Sequence, residues 1–135
     1  MQEGEDLKIE IALEGKIKNS FIRDALQEYM KRMNGKGFRI SVKESARIDF
    51  EKAVLLSEHG RKLDPDKLQD FFKMGREKEG ITFAIGGPEG FARMPAKART
   101  WAISHLTLTA ELTAVVLMEQ LYRCWSAEKG KFYVR

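Results

Sequence analysis

The stretch Ile81-Thr82-Phe83-Ala84-Ile85-Gly86-Gly87-Pro88-Glu89-Gly90 sets the reading of everything around it. Its first five residues are mostly β-branched or aromatic, which suits a strand covered on both faces. The glycine-proline run that follows cannot continue a strand. Glycines at that point let backbone approach a ligand closely, and open α/β sheets bind ligands just beyond the carboxyl ends of their strands. A plain strand-to-helix turn uses the same residues, so the loop alone leaves both readings open.

Working outward, the chain alternates strand and helix on both sides of this stretch. Leu7-Lys8-Ile9-Glu10-Ile11-Ala12-Leu13 alternates apolar and polar before Glu14-Gly15-Lys16 breaks the pattern. Asn19 or Ser20 then caps a helix whose apolar face is Ile22, Ala25, Leu26, Tyr29, Met30 and Met33, ended by Asn34-Gly35. Phe38, Ile40 and Val42 alternate in a second strand. Only about nine residues, Glu44 to Lys52, precede the third apolar run at Ala53-Val54-Leu55-Leu56, whereas a parallel crossover usually takes a dozen or more. A short, irregular crossover or an altered sheet edge is expected there. Asp64-Pro65-Asp66 starts a second helix, with Leu68, Phe71 and Phe72 facing inward.

Beyond the glycine loop, Ala92 to Arg99 suits a short basic helix and Trp101-Ala102-Ile103-Ser104 a last strand. The final helix, from Glu111 to about Ser126, is apolar nearly all round. Such a helix is buried on several sides, and in a domain this small part of its surface is expected to meet another subunit.

Length and composition fit one compact domain over residues 1–135, with 43% hydrophobic and 33% charged residues. No apolar run approaches a membrane span, and the acidic start Met1-Gln2-Glu3-Gly4-Glu5-Asp6 does not read as a secretory signal, so a cytoplasmic protein is expected. Cys124 is the only cysteine, which excludes an internal disulfide and a multi-cysteine metal site. His59 and His105 are too far apart in sequence to suggest a metal site; His59 lies near a strand end where it could approach a ligand or be incidental, and His105 fits either a catalytic role or a solvent-facing one. The net charge of +4 is clustered: Lys31, Arg32, Lys36, Arg39, Lys43 and Arg47 stand against the single acid Glu44, and Arg93, Lys97 and Arg99 against none. Such patches suit a phosphate backbone, although a solvated basic surface has the same composition.

Four separated motifs then carry a resemblance: Gly86-Gly87-Pro88-Glu89-Gly90, Ser104-x-Leu106-Thr107-Leu108, Glu119-Gln120-Leu121-Tyr122-Arg123 and the final Tyr133-x-Arg135. In this order and spacing the chain resembles the RlmH family, SPOUT-type methyltransferases of large-subunit rRNA pseudouridine. The resemblance implies an α/β domain with an open, mostly parallel five-stranded sheet and a C-terminal trefoil knot, which periodicity does not reveal. It also implies a homodimer, an rRNA or ribosome partner and S-adenosylmethionine as cofactor. By position, the cofactor residues would be Leu56, Gly86, Gly87, Ser104, His105, Leu106, Thr107, Leu108 and Thr109. Tyr133, Arg135 and Arg123 would handle the acceptor, though Arg123 could equally pair with Glu119 one turn back.

The chain departs from that family on the substrate side. Ala110, Ala114 and Val134 stand where the family has histidine, arginine and histidine, and Ser57 where it usually has an acid. The connection between the second and third strands, which carries a helix in the family, is short here. Two functions follow: an rRNA methyltransferase, with its acceptor kept or changed, or a dimeric SPOUT module that binds RNA without turnover. The retained glycine loop and Ser104-to-Thr109 run favour the enzyme, and Ala110, Ala114 and Val134 favour the binding module.

Overall fold

In the computed structural model, residues 6–87 and 89–130 are described. Five strands and three helices follow in the order β1 (Leu7–Leu13), α1 (Ser20–Met33), β2 (Phe38–Lys43), β3 (Val54–Lys62), α2 (Pro65–Glu77), β4 (Ile81–Ile85), β5 (Thr100–Ala102) and α3 (Ala110–Glu128). The sheet order is β2-β1-β4-β3-β5 and every pairing is parallel.

The expected helix starts are present because their side chains satisfy free backbone donors. The Asn19 side chain accepts from Phe21 N at 2.8 Å, and Asp64 Oδ1 from Lys67 N at 2.8 Å with Pro65 next in line. On β1, Leu7, Ile9, Ile11 and Leu13 share one sheet face and enter a core with Phe38, Phe72, Phe83, Leu117 and Leu121. All three helices lie on this face. Tyr29 of α1 meets Tyr122 of α3 at 5.5 Å between ring centroids, and Arg76 of α2 binds Glu128 of α3 at 2.9 Å.

Handedness explains that arrangement. The β1-α1-β2 and β3-α2-β4 units both step across the sheet in the same direction, so right-handed crossovers put both helices on one face. The step from β2 to β3 runs the other way and belongs on the opposite face. It consists of residues 44–53, which form no helix. The register permits this brevity: Val54 pairs with Phe83, Phe83 with Ile11 and Ile11 with Val42, so β3 begins level with the end of β2. The chain needs to move only sideways across three strand spacings, about 14 Å. Ser45 takes φ 50° at the start of the crossover, and Ser45 N and Ala46 N bind Gly15 O and Leu13 O at the end of β1.

Without a crossover helix, Lys8, Arg39, Ser41 and Lys43 remain exposed on the second face. Parallel sheets usually have both faces covered, and the polar side chains here take the place of that cover. The same upward slide of β3 carries residues 57–62 beyond the end of β4, where the glycine loop begins.

One expected element is absent. Residues 92–99 form turns rather than a short basic helix, closed by Ala98 N on Pro95 O at 3.0 Å. Pro95 removes a helical donor in a segment too short to nucleate, and Arg93, Lys97 and Arg99 repel one another with no acid between them. Among the described residues, no helix is long and apolar enough to cross a membrane.

Candidate active site

A cleft of about 480 Å³ opens at the carboxyl ends of β4, β3 and β5. Three segments build it: the glycine loop after β4, residues 56–59 of β3, and residues 103–108 leading into α3. Phe91, Met94, Ala110 and Thr113 complete the lining.

The glycine loop is a tight, reciprocally bonded turn. Gly87 N donates to Gly90 O at 3.0 Å and Gly90 N to Gly87 O at 2.9 Å, with Gly90 at φ +85°. At Gly86 a Cβ would lie 2.6 Å from Gly90 C and 2.7 Å from Phe91 N, so only glycine lets the chain fold back there. Gly87 differs, because a Cβ on it would touch only Gly90 O, at 3.9 Å, and its α-carbon faces open space.

On β3, pairing with β5 jumps from Leu56–Trp101 to Arg61–Trp101, so residues 57–60 bulge from the ladder. This bulge turns Ser57, Glu58 and His59 toward the cleft. Glu58 Oε2 accepts from Thr107 Oγ1 at 2.5 Å, which bridges the bulge to the 103–108 segment. His59 Nε2 lies 3.7 Å from the other carboxylate oxygen, Oε1. Gly60 packs so close to Thr100 and Trp101 backbone that a Cβ would meet them at 2.5–2.7 Å.

The third segment ends in a helix cap. Ser104 Oγ accepts from Leu106 N at 3.0 Å, and Thr109 Oγ1 accepts from Leu112 N at 3.1 Å as the cap of α3. Leu106, one of the cleft residues, is 74% exposed.

Of the nine cofactor residues implied by the resemblance, Leu56, Gly86, Gly87, Ser104, Leu106, Thr107 and Leu108 line the cleft. His105 and Thr109 are not among its lining residues: the His105 imidazole lies 3.2 Å from Gly60 O through Nε2, and Thr109 caps α3. Tyr133 and Arg135 lie outside the described residues. Arg123 is not among the cleft residues. It sits about 20 Å along α3 from Ala110 at 1.5 Å per residue, and its Nε binds Glu119 Oε2 at 2.6 Å.

The sequence reading missed Glu58 as a cleft residue. Ser57-Glu58-His59-Gly60 reads as a turn after a strand, and only the bulge in its pairing with β5 directs the carboxylate inward. Glu89 also lines the cleft, within the glycine motif already recognised.

The basic residues lie outside the cleft. Arg93, Lys97 and Arg99 are exposed on the segment that follows the glycine loop, whose Phe91 and Met94 line the cleft. Phe50 of the crossover meets Phe91 edge-on at 5.6 Å, holding the loop of Arg47 against the loop of Arg93. Lys31, Arg32, Lys36, Arg39 and Lys43 are also exposed. Arg32 binds Glu28 and lies over Tyr29 and Tyr122, and Arg39 reaches Asp6 at 3.5 Å. Among the described residues no group of three His, Cys, Asp or Glu side chains could hold a metal ion. Cys124 is buried, and burial pushes its thiol up to about 11.

Residues 36–133 match a family described as "Predicted SPOUT methyltransferase". A protein of Koribacter versatilis (strain Ellin345), named ribosomal RNA large subunit methyltransferase H, is 30% identical over 146 residues, covering 94% of this chain and 97% of its own. The protein of that name from Kosmotoga olearia is 28% identical over 94% of this chain and 99% of its own. The one from Acinetobacter baumannii (strain ATCC 17978) is 36% identical over 63% of this chain and 55% of its own.

Proposed function

The chain belongs to the SPOUT methyltransferase family, and on that premise we propose that it transfers a methyl group from S-adenosylmethionine to large-subunit rRNA, at a pseudouridine ring nitrogen. The observation that carries this reading is the cleft between the Gly86-Gly87 turn and the Ser104–Leu108 segment, at the carboxyl edge where α/β sheets bind ligands. Its residues suit the donor. Leu56, Ile85, Leu106 and Leu108 offer an apolar wall for a nucleoside, while the turns bring backbone groups and the Ser104 and Thr107 hydroxyls to its polar edges.

The donor's sulfonium supplies an activated methyl group, so the protein's work is placement. Gly86 lets the loop fold back and backbone pairing of Gly87 with Gly90 closes it, the Glu58–Thr107 bond fixes the opposing wall, and Thr109 anchors that wall to α3. His105 supports the bulge at Gly60, so its place in the donor set is indirect.

The acceptor side is a proposal of the same kind. RNA is drawn by the exposed cations Arg47, Arg93, Lys97 and Arg99 beside the cleft, with Lys31, Arg32, Lys36, Arg39 and Lys43 extending the basic surface. Tyr133 and Arg135 handle the pseudouridine. Arg123 acts, if on the acceptor, across a homodimer rather than at its own chain's cleft. Support for the dimer comes from the joined starts of α1 and α3. Glu111 Oε1 accepts from Lys18 N and Asn19 N at 3.0 and 2.9 Å, and Phe21 and Leu112 nearby are 81% and 41% exposed. A trefoil knot in the C-terminal half and a cytoplasmic location with the ribosome belong to the same reading.

Calorimetric titration of S-adenosylmethionine into the protein and into Gly87→Val tests the donor assignment. Binding by the parent and its loss in the variant support it, and an absence of binding to the parent overturns it. Methyl incorporation into undermethylated ribosomes, with the product nucleoside identified by mass spectrometry, then tests the acceptor.

A further inference from the structure

The protein carries net charge +4, yet its cleft runs against that balance. Among the described residues that line it, Glu58 and Glu89 are the carboxylates, His59 is the imidazole, and there is neither lysine nor arginine. The cations sit outside, on the 92–99 segment and the β2–β3 crossover. A basic exterior around an acidic interior sorts ligands by sign: a polyanion is held at the rim, a cation within.

We propose that Glu58, with Glu89 as a second contributor, makes the cleft discriminate by charge between donor and product. It would hold the cationic sulfonium more tightly than the neutral thioether left after transfer. This rests on the donor assignment proposed above. In the reaction the bond from sulfur to the methyl carbon breaks, a nitrogen–carbon bond forms on the acceptor, and sulfur keeps the electron pair and becomes neutral. The acceptor nitrogen gives its proton to solvent. The sulfonium charge therefore vanishes from the cleft in the step that completes catalysis, and the attraction from Glu58 and Glu89 lapses with it. Product release is built into the electrostatics of the site.

The position of Glu58 favours this role. Its Oε2 is fixed by Thr107 Oγ1 at 2.5 Å, so the carboxylate is held in place before ligand arrives rather than gathered around it. Its side chain is 31% exposed, enough to meet a ligand while screened less than a free surface acid. Glu89 lines the cleft from the glycine turn, a different segment from the one that carries Glu58.

S-adenosylmethionine and S-adenosylhomocysteine make a clean comparison, because they share the adenosine and the amino-acid tail and differ by one methyl group and one charge. Calorimetric titration of both, and of sinefungin, whose amine restores a positive charge without sulfonium, would be run on the parent, Glu58→Gln, and Glu58→Gln with Glu89→Gln, at low and high salt. The amide oxygen in Glu58→Gln can still accept from Thr107, so equal melting temperatures would show that the walls are intact. The expected result is that the parent binds the two cationic ligands on the order of tenfold tighter than the thioether at low salt, the scale of one unit charge near a partly screened carboxylate. That ratio should shrink with salt and fall several-fold in Glu58→Gln while thioether affinity stays nearly constant. Equal affinity of the parent for donor and thioether, or an equal loss for all three ligands in Glu58→Gln, would overturn the proposal while leaving the donor assignment standing. Failure of all three to bind the parent would overturn both.

Discussion

Thr107 donates to Glu58 at 2.5 Å within one wall of the cleft, tying the bulge in β3 to the segment that leads into α3. The two residues are far apart in sequence, and His105 Nε2, 3.2 Å from Gly60 O, is the other described side-chain hydrogen bond between the bulge and residues 103–108. Thr107→Val keeps the shape of the side chain and deletes the donor. A hydrogen bond to a charged acceptor contributes about 1.5–3 kcal/mol at most, and a partly exposed one less. The expected outcome is a three- to tenfold rise in the Kd for S-adenosylmethionine, about 1 kcal/mol, with a melting temperature close to the parent's. An unchanged Kd would show that the bridge does not shape the ligand-ready cleft.

The adjacent glycines make opposite predictions. Gly86→Ala drives a Cβ to within 2.6–2.7 Å of Gly90 and Phe91 backbone, which cannot yield as a side chain would. Overpacking of this kind costs about 1–3 kcal/mol, so melting temperature and donor binding should fall together. In Gly87→Val the added Cβ would meet only Gly90 O, at 3.9 Å, and a residue before proline prefers the extended backbone that valine adopts readily. Donor binding should be lost while the melting temperature holds. Thermal melts of both variants, with and without ligand, separate a broken turn from a filled cleft.

That contrast shows what the sequence could and could not disclose. The alternation of Leu7 to Leu13, the caps Asn19 and Asp64 and the arrest of β4 at Gly86 are local effects, each written in a few adjacent residues. The brevity of residues 44–53 was legible too, but its cause was not, because the level start of β3 depends on pairings through β4 and β1. Glu58 escaped notice for the same reason. Its inward turn follows from a register jump against Trp101, forty-odd residues later in the chain. The 92–99 segment misled in the other direction: its composition allows a helix, but Pro95 and three like charges do not.

Glu44 gives the fold an acid-sensitive joint at the end of β2. Its carboxylate accepts from Arg23 Nη1 at 2.9 Å and from Ile17 N at 2.7 Å. The Arg23 guanidinium, and then the Ile17 backbone donor, hold the carboxyl below its usual range. A carboxyl depressed on folding binds its proton less readily in the native state. Its stabilising contribution is therefore full above the unfolded value, about 4.3, and lost as pH falls through that value toward the lower native one. Glu44→Gln should lower the melting temperature by a few degrees at pH 7 and flatten its decline between about pH 5 and pH 3. Melts across that range check it, and parallel acid limbs for parent and variant would remove Glu44 from the account.

The basic rim makes the prediction most directly tied to substrate. Arg93, Lys97 and Arg99 are exposed on a segment whose own Phe91 and Met94 line the cleft, so RNA bound there would lie beside the donor. Each phosphate that a cation no longer neutralises reduces the salt dependence of binding by roughly 0.7–0.9 in the logarithmic slope. Replacing all three with alanine should flatten that slope by about 2 and weaken rRNA binding at low salt by tenfold or more, with S-adenosylmethionine affinity unchanged. The comparison is a salt titration of fluorescent rRNA fragments against parent and variant. A parallel slope would mean that RNA approaches elsewhere, and the same replacement on Arg39 and Lys43, across the uncovered sheet face, would then identify whether that surface serves instead. An unchanged slope there as well would separate donor binding from RNA binding in this protein, because the cleft would remain intact while neither basic surface touched phosphate.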